Sequence, residues 1–132
     1  YNWSFGEVSG EHPFSSRARA AQWIWGQAAL NSALPFIPTA MAGWDVRPWY
    51  EPPTWFRRSP PEVTDLVCSA ITWANANPQL RPEPSPGPPL VFIEAWNELG
   101  EGSYLVPTVG DGTSYGDSLA AMLATQACSP SR

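Results

Sequence analysis

Leu90-Val91-Phe92-Ile93-Glu94-Ala95-Trp96-Asn97-Glu98-Leu99-Gly100-Glu101-Gly102 opens as an almost unbroken apolar run. Within a few residues it becomes a cluster of carboxylates with one carboxamide, one indole and two glycines. An apolar run of this kind, bounded by turn residues, suits a strand covered on both faces, as in a parallel sheet. Polar chemistry gathered just past the carboxyl end of such a strand is where α/β folds and β/α barrels build their sites. Glu98 and Glu101 stand three positions apart inside a glycine-bounded turn, and the rest of the chain is read as the frame around them.

Upstream, residues 81–89 (Arg-Pro-Glu-Pro-Ser-Pro-Gly-Pro-Pro) are too proline-dense for helix or central strand and form an extended surface connection. Before it lies Ser59-Pro60-Pro61-Glu62, which has the form of a capping box with proline at the first helical position. Val63, Leu66, Val67, Ala70, Ile71 and Ala74 follow at spacings of three and four, marking one apolar helix face that Asn77-Pro78 ends. Residues 51–58 read as a proline-rich loop. Residues 35–42 are a second short apolar run, whose prolines are compatible with a strand only at its start. That run leads into Gly43-Trp44-Asp45-Val46-Arg47, so an apolar run again ends in glycine, aromatics and an opposed charge pair.

Nearer the amino end, Ala20, Ala21, Ile24, Trp25, Ala28 and Ala29 recur at helical spacing, with Ser15 or Ser16 as cap and Asn31-Ser32 as the stop. Residues 6–13 read as a loop carrying the lone His12 in an exposed position, and Tyr1 to Phe5 as the tail of a strand. Downstream of the turn, Ser114 with Asp117 is placed to cap a last helix with Tyr115, Leu119, Met122 and Leu123 on one face, and residues 129–132 are a tail. Strand, helix, strand, helix, strand, helix, with connections long enough for parallel crossovers, is an α/β pattern wound in one direction. Three such units cannot close a barrel of eight. The expected architecture is therefore a single partial domain over residues 1–132, the carboxyl-terminal three β/α units of a (β/α)8 TIM barrel. The chain begins at Tyr1 rather than Met and reads as a processed or truncated piece.

Composition narrows the function classes. Twelve acidic residues face seven basic ones, all arginine, and this net −5 chain without a basic run is a poor match for nucleic acid or an anionic membrane. No stretch is long and apolar enough to span a bilayer. Eight tryptophans among 132 residues suit either sugar-stacking sites or core packing. Cys68 and Cys128 have no ligand-like spacing and make no disulfide framework; Cys68, beside Val67 in a helical pattern, reads as a buried free thiol. No metal and no cofactor is implied, and oligomeric state and compartment stay open.

Glycosidic cleavage typically needs one carboxylic acid to protonate the leaving oxygen and a second carboxylate as nucleophile or base, both projecting into one pocket. Glu98 and Glu101 share a face if the backbone turns helically between them and diverge if it stays extended. Gly100 and Gly102 permit the tight turn. Trp96 and Asn97 could supply a stacking face and a hydrogen bond to a sugar hydroxyl. The same residues also suit a non-catalytic carbohydrate-binding domain, in which the acids only accept hydrogen bonds, or a fragment without activity of its own.

The run from Ala95 through Trp96-Asn97-Glu98-Leu99-Gly100-Glu101-Gly102 to Ser103-Tyr104-Leu105-Val106-Pro107, preceded by Gly43-Trp44-Asp45 and followed by a Gly-x-x-Tyr helix start, resembles the carboxyl-terminal part of the glycoside hydrolase family 99-like proteins. That group includes the WbsX-type proteins of polysaccharide gene clusters, often described as glycosyltransferases. The resemblance spans about residues 35–122. It implies a (β/α)8 barrel that cleaves or transfers α-linked, mannose-type oligo- or polysaccharide with retention, through attack of the sugar's own 2-hydroxyl on the anomeric carbon. On that carry-over Glu98 is the base toward the 2-hydroxyl, and Glu101 protonates the leaving oxygen and later activates water. Trp3, Trp44, Asp45, Trp96 and Asn97 are the expected substrate contacts, with a structural pair of Asp45 and Arg47 as the alternative at that position. Three positions depart from the family pattern: Leu99 replaces a tryptophan, Glu94 an asparagine, and Val106 the glutamate of Leu-Glu-Pro. Because both catalytic positions keep carboxylates, these departures bear on substrate identity more than on reaction type.

Overall fold

The computed structural model describes residues 8–49, 51–82, 87–125 and 128. The expected strand at Tyr1 to Phe5 with Trp3, part of the 81–89 connection and the 129–132 tail lie outside the described residues. The elements run β1 (Gly10–Pro13), α1 (Phe14–Asn31), β2 (Thr39–Met41), β3 (Thr54–Arg57), α2 (Pro60–Ala76), β4 (Phe92–Glu94), β5 (Asn97–Glu98), β6 (Ser103–Tyr104) and α3 (Ser114–Thr125). β1 pairs parallel with β3, β2 parallel with β4, and β5 antiparallel with β6. The fold is mixed α/β with small parallel sheets. The described strands form three two-stranded sheets.

α2 is the packing centre. It lies against α1, α3 and β2, and Val63, Leu66, Val67, Ala70 and Ala74 are all buried. Each buried Val or Leu contributes about 1.5–3 kcal/mol relative to exposure. The periodic face expected from the sequence is therefore the face that carries the core, with Ile71 packed at its margin. Pro60 and Pro61 occupy the first turn. Ser59 and Glu62 do meet, but side chain to side chain: Ser59 Oγ donates to Glu62 Oε2 at 2.7 Å. Two prolines bring no N–H to those first positions, so the box has fewer amides to satisfy.

Several local expectations need correction. Residues 10–13 are strand rather than loop, and residues 54–57 are strand rather than proline-rich loop; each is the other's partner. His12 sits half-buried in β1, with Nε2 2.6 Å from the Val8 carbonyl and its ring 5.5 Å from that of Phe56. α1 starts at Phe14 behind Pro13, so Ser15 and Ser16 fall inside the first turn and accept from Arg19 instead of capping. α3 is capped one residue early: Thr113 Oγ1 donates to Asp117 Oδ2 at 2.6 Å while the Asp117 amide donates to the Thr113 carbonyl. Leu123 faces solvent instead of joining Tyr115 and Met122 in the core.

Two corrections change the architecture. β4 is not covered on both faces. Val91 and Ile93 pack on the core whereas Phe92 is 59% exposed and Leu90 is also exposed. The apolar run divides by strand alternation, while in β2 both Ala40 and Met41 are buried. Cys68, read as a buried free thiol, is joined to Cys128 in a disulfide that ties α2 to the chain 60 residues later.

Candidate functional site

The loops that leave β2 and β4 at their carboxyl ends meet. β2 and β4 run in register, Thr39 opposite Phe92 and Met41 opposite Glu94, so Ala42-Gly43-Trp44-Asp45 emerges beside the segment that begins at Ala95. The Ala42 amide donates to the Glu94 carbonyl, and the Asp45 amide to the Glu101 carbonyl at 2.7 Å. Glycine is required on both sides. A Cβ on Gly43 would overlap the Gly102 carbonyl oxygen, and Gly102, at φ +63°, sits against Asp45 Cβ. Gly102 ends the turn in the left-handed region, with its amide donating to the Leu99 carbonyl at 3.2 Å.

Between the two candidate acids the backbone does turn. Glu98 closes β5 with a non-helical backbone (φ −78°, ψ 64°), and Leu99–Glu101 is a single 3-10 turn that ends on the second acid. Glu98 is exposed and Glu101 half-buried. Trp96 is 62% exposed; its carbonyl accepts from the Leu105 and Val106 amides at 3.0 and 3.1 Å, which fastens the turn to the strand that follows. Asn97 is exposed and pairs with Tyr104. Trp44 is half-buried, 5.5 Å from the guanidinium of Arg17, a side chain only 2% exposed that also lies 5.0 Å from the Phe56 ring. Trp3 lies outside the described residues. Asp45 is engaged by Arg47, which donates to both carboxylate oxygens from Nε at 2.9 and 3.1 Å and from Nη2. These bonds hold the Asp45 carboxyl below the usual carboxylate range, against partial burial. The opposed charges noted in the sequence are thus a bidentate pair.

Sequence reasoning passed over several residues here. Glu94, at the end of β4, has its carboxyl pushed up, first by burial and further by the charges of Glu101 and Glu98, with Arg17 opposing. Its carbonyl accepts from Ser103 Oγ at 2.7 Å, and Ser103 is itself buried. Trp49 donates through Nε1 to the Gly100 carbonyl, with its ring over the space a Cβ on Gly100 would need. Arg58 donates from Nη1 to the carbonyls of Ala42 and Tyr104, and its guanidinium is held 4.1 Å from the rings of both Tyr104 and Tyr115. Burial pushes the Tyr115 hydroxyl up. An arginine after a proline-rich stretch carries no signal of this role; only the arrival of β6 and α3 around it does.

Beside the turn opens a cleft of about 420 Å³, walled by Asp45, Arg47, Trp55, Arg58, Tyr104 and Asp111, with Leu99 and Gly102 at its edge. Glu98 and Glu101 do not line it. Among the described residues no group of three or more His, Cys, Asp and Glu is arranged to hold a metal ion, and no helix is long and apolar enough to cross a membrane. Comparison of the chain with protein-family models, with curated proteins and with solved structures found no match.

Proposed function

We propose that this chain is the carboxyl-terminal three β/α units of a (β/α)8 barrel of the family 99-like type, and that the barrel cleaves or transfers α-linked, mannose-type glycans with retention. The observation that carries this reading is the segment past the carboxyl end of the parallel strand β4, in which Glu98 closes the short strand β5 and Glu101 ends the 3-10 turn that follows it. Parallel α/β folds bind ligands at that end. Glu98 takes the proton from the sugar 2-hydroxyl as its oxygen closes on the anomeric carbon, and Glu101 gives a proton to the departing oxygen. Glu101 then takes a proton from the incoming water or acceptor hydroxyl, which opens the anhydro ring, and Glu98 returns a proton to O2. Glu94, whose burial favours its protonated form, lowers the negative charge gathered at the turn.

A second reading, non-catalytic glycan binding, draws on the exposure of Trp96, Asn97 and Glu98. Turnover of α-linked manno-oligosaccharides by Glu98→Gln and Glu101→Gln separates the two. The catalytic reading expects losses of about 10²–10⁴-fold, as for removal of a general acid or base. It also expects recovery of Glu101→Gln alone on a substrate with an activated leaving group, and an anomer of retained configuration. Saccharide binding without turnover in the unaltered chain supports the second reading, and unchanged turnover in both variants removes the catalytic roles.

A further inference from the structure

The cleft beside the turn has a wall chemistry of its own. Three acids (Glu11, Asp45, Asp111) and three arginines (Arg47, Arg57, Arg58) line it, so its formal charges balance. The pairing is local as well. Asp45 and Arg47 are bidentate, Arg57 Nη1 lies 3.3 Å from Glu11 Oε1, and Asp111 Oδ2 accepts from Tyr104 Oη at 2.7 Å and Thr108 Oγ1 at 3.3 Å. Arg58 spends Nη1 on two backbone carbonyls. An anion entering here would meet three carboxylates and no surplus cation. The aromatic surfaces are also engaged: a guanidinium lies 4.8 Å from the Trp55 ring centre and another 4.1 Å from each of Tyr104 and Tyr115. What the wall offers is a set of donors and acceptors fixed in place by their own partners, with carboxylate lone pairs and guanidinium N–H groups to spare. A volume of about 420 Å³ falls within the usual range of small-ligand sites, roughly 300–1,000 Å³.

We infer that this cleft binds one neutral, hydroxyl-rich sugar ring of a glycan, gripped by hydrogen bonds from Asp45, Arg47 and Asp111 rather than by ring stacking. Leu99 and Gly102 form its edge and belong to the segment that carries Glu98 and Glu101, so the bound ring is a neighbour of the linkage those acids attack. In that respect the inference rests on the enzymatic reading. Its grip on a sugar is measured without turnover.

The test is calorimetric titration of the Glu98→Gln/Glu101→Gln double variant with α-linked mannotetraose, repeated after adding Asp111→Asn, Tyr104→Phe or Asp65→Asn. Saturable binding is expected, weakened about tenfold or more by Asp111→Asn. Tyr104→Phe, which keeps the ring beside Arg58 and removes only the hydroxyl that orients Asp111, should weaken it about three- to tenfold. Asp65→Asn, on an exposed position of α2, should leave it unchanged. Sodium phosphate and sodium glucuronate should not compete. Absence of binding, affinity in the Asp111 and Tyr104 variants equal to that of the double variant without them, or competition by either anion overturns the inference. Unchanged affinity in the cleft variants alongside lost turnover in the glutamine variants sinks the cleft and leaves the enzymatic reading standing.

Discussion

The amide of Asp45 donates to the carbonyl of Glu101 at 2.7 Å, so the loop that leaves β2 and the turn that follows β4 are fastened backbone to backbone. The link has a consequence for how the acids are held. Glu101 is positioned by main chain that two parallel strands support, and Asp45 is oriented on the same point by Arg47. Sites placed on strand ends keep their geometry better than sites on free loops. Movement of either loop shifts Glu101 and the edge of the cleft together.

Gly43→Ala tests that junction. The added methyl would run into the Gly102 carbonyl, which is backbone and cannot step aside as a side chain would. Overpacking commonly costs 1–3 kcal/mol, and a loss of about 3 kcal/mol in urea unfolding is expected here. Gly26→Ala is the counterpart. Gly26 lies within α1 with open space where its Cβ would go, so a gain of about 0.5–1 kcal/mol is expected. Equal effects of the two substitutions would contradict the close approach at Gly43.

The Cys68–Cys128 disulfide closes a loop of 60 residues. By chain-entropy reasoning a crosslink of that length stabilises by about 4 kcal/mol. Reduction, or Cys68→Ser with Cys128→Ser, should lower the urea midpoint and steepen the slope, since the unfolded chain freed of the crosslink exposes more surface. Because a bonded pair carries no free thiol, the chain should also bind one equivalent less of thiol reagent per cysteine before reduction than after. Full thiol titration of the unreduced protein in denaturant would refute the bond.

The parts legible in the sequence are those whose signal is local. α2 announced itself through six apolar positions at helical spacing and a proline-marked start, and five of the six are buried. β2 and β4 were visible as apolar runs ending in glycine and charge, and the turn at Leu99–Glu101 follows from its glycines. What stayed hidden depends on partners far along the chain. β3 is four residues, Thr54-Trp55-Phe56-Arg57, next to two prolines, and only its pairing with β1 makes it a strand. The disulfide joins cysteines with no spacing pattern, and Arg58 gains its role from carbonyls 16 and 46 residues away. The exposure of Phe92 was hidden because an unbroken apolar run carries no mark of which of its alternating side chains is left uncovered.

Arg58→Lys should separate planarity from charge. Lysine keeps a cation able to donate to the Ala42 and Tyr104 carbonyls, as Nη1 alone does here, but has no flat face to lie against Tyr104 and Tyr115. A cation over an aromatic ring contributes about 0.5–2 kcal/mol, so loss of the planar contact with two rings should cost about 1–2 kcal/mol in urea unfolding. Affinity for mannotetraose should fall with it, since Tyr104 orients Asp111. Full stability in Arg58→Lys would mean that charge alone holds these elements.

Stability should respond to acid through two carboxyls of opposite sign. Asp45 has its folded pKa below the ordinary 3.8, first through the Arg47 hydrogen bonds. Its contribution is complete above 3.8 and is lost as pH falls through the lowered folded value. Glu94 has its folded pKa above the ordinary 4.5, first through burial. Its protonated form is favoured in the fold, so its contribution is complete below 4.5 and is lost as pH rises through the raised value. The two windows do not overlap, which lets one experiment read both. In urea unfolding followed from pH 3 to 7, Asp45→Asn should flatten the curve on its acid side. Glu94→Gln should flatten it above 4.5 and leave the protein more stable at neutral pH than the unaltered chain. A Glu94→Gln variant that loses stability at neutral pH would show that the carboxylate, once ionised, is held by partners strong enough to outweigh its burial.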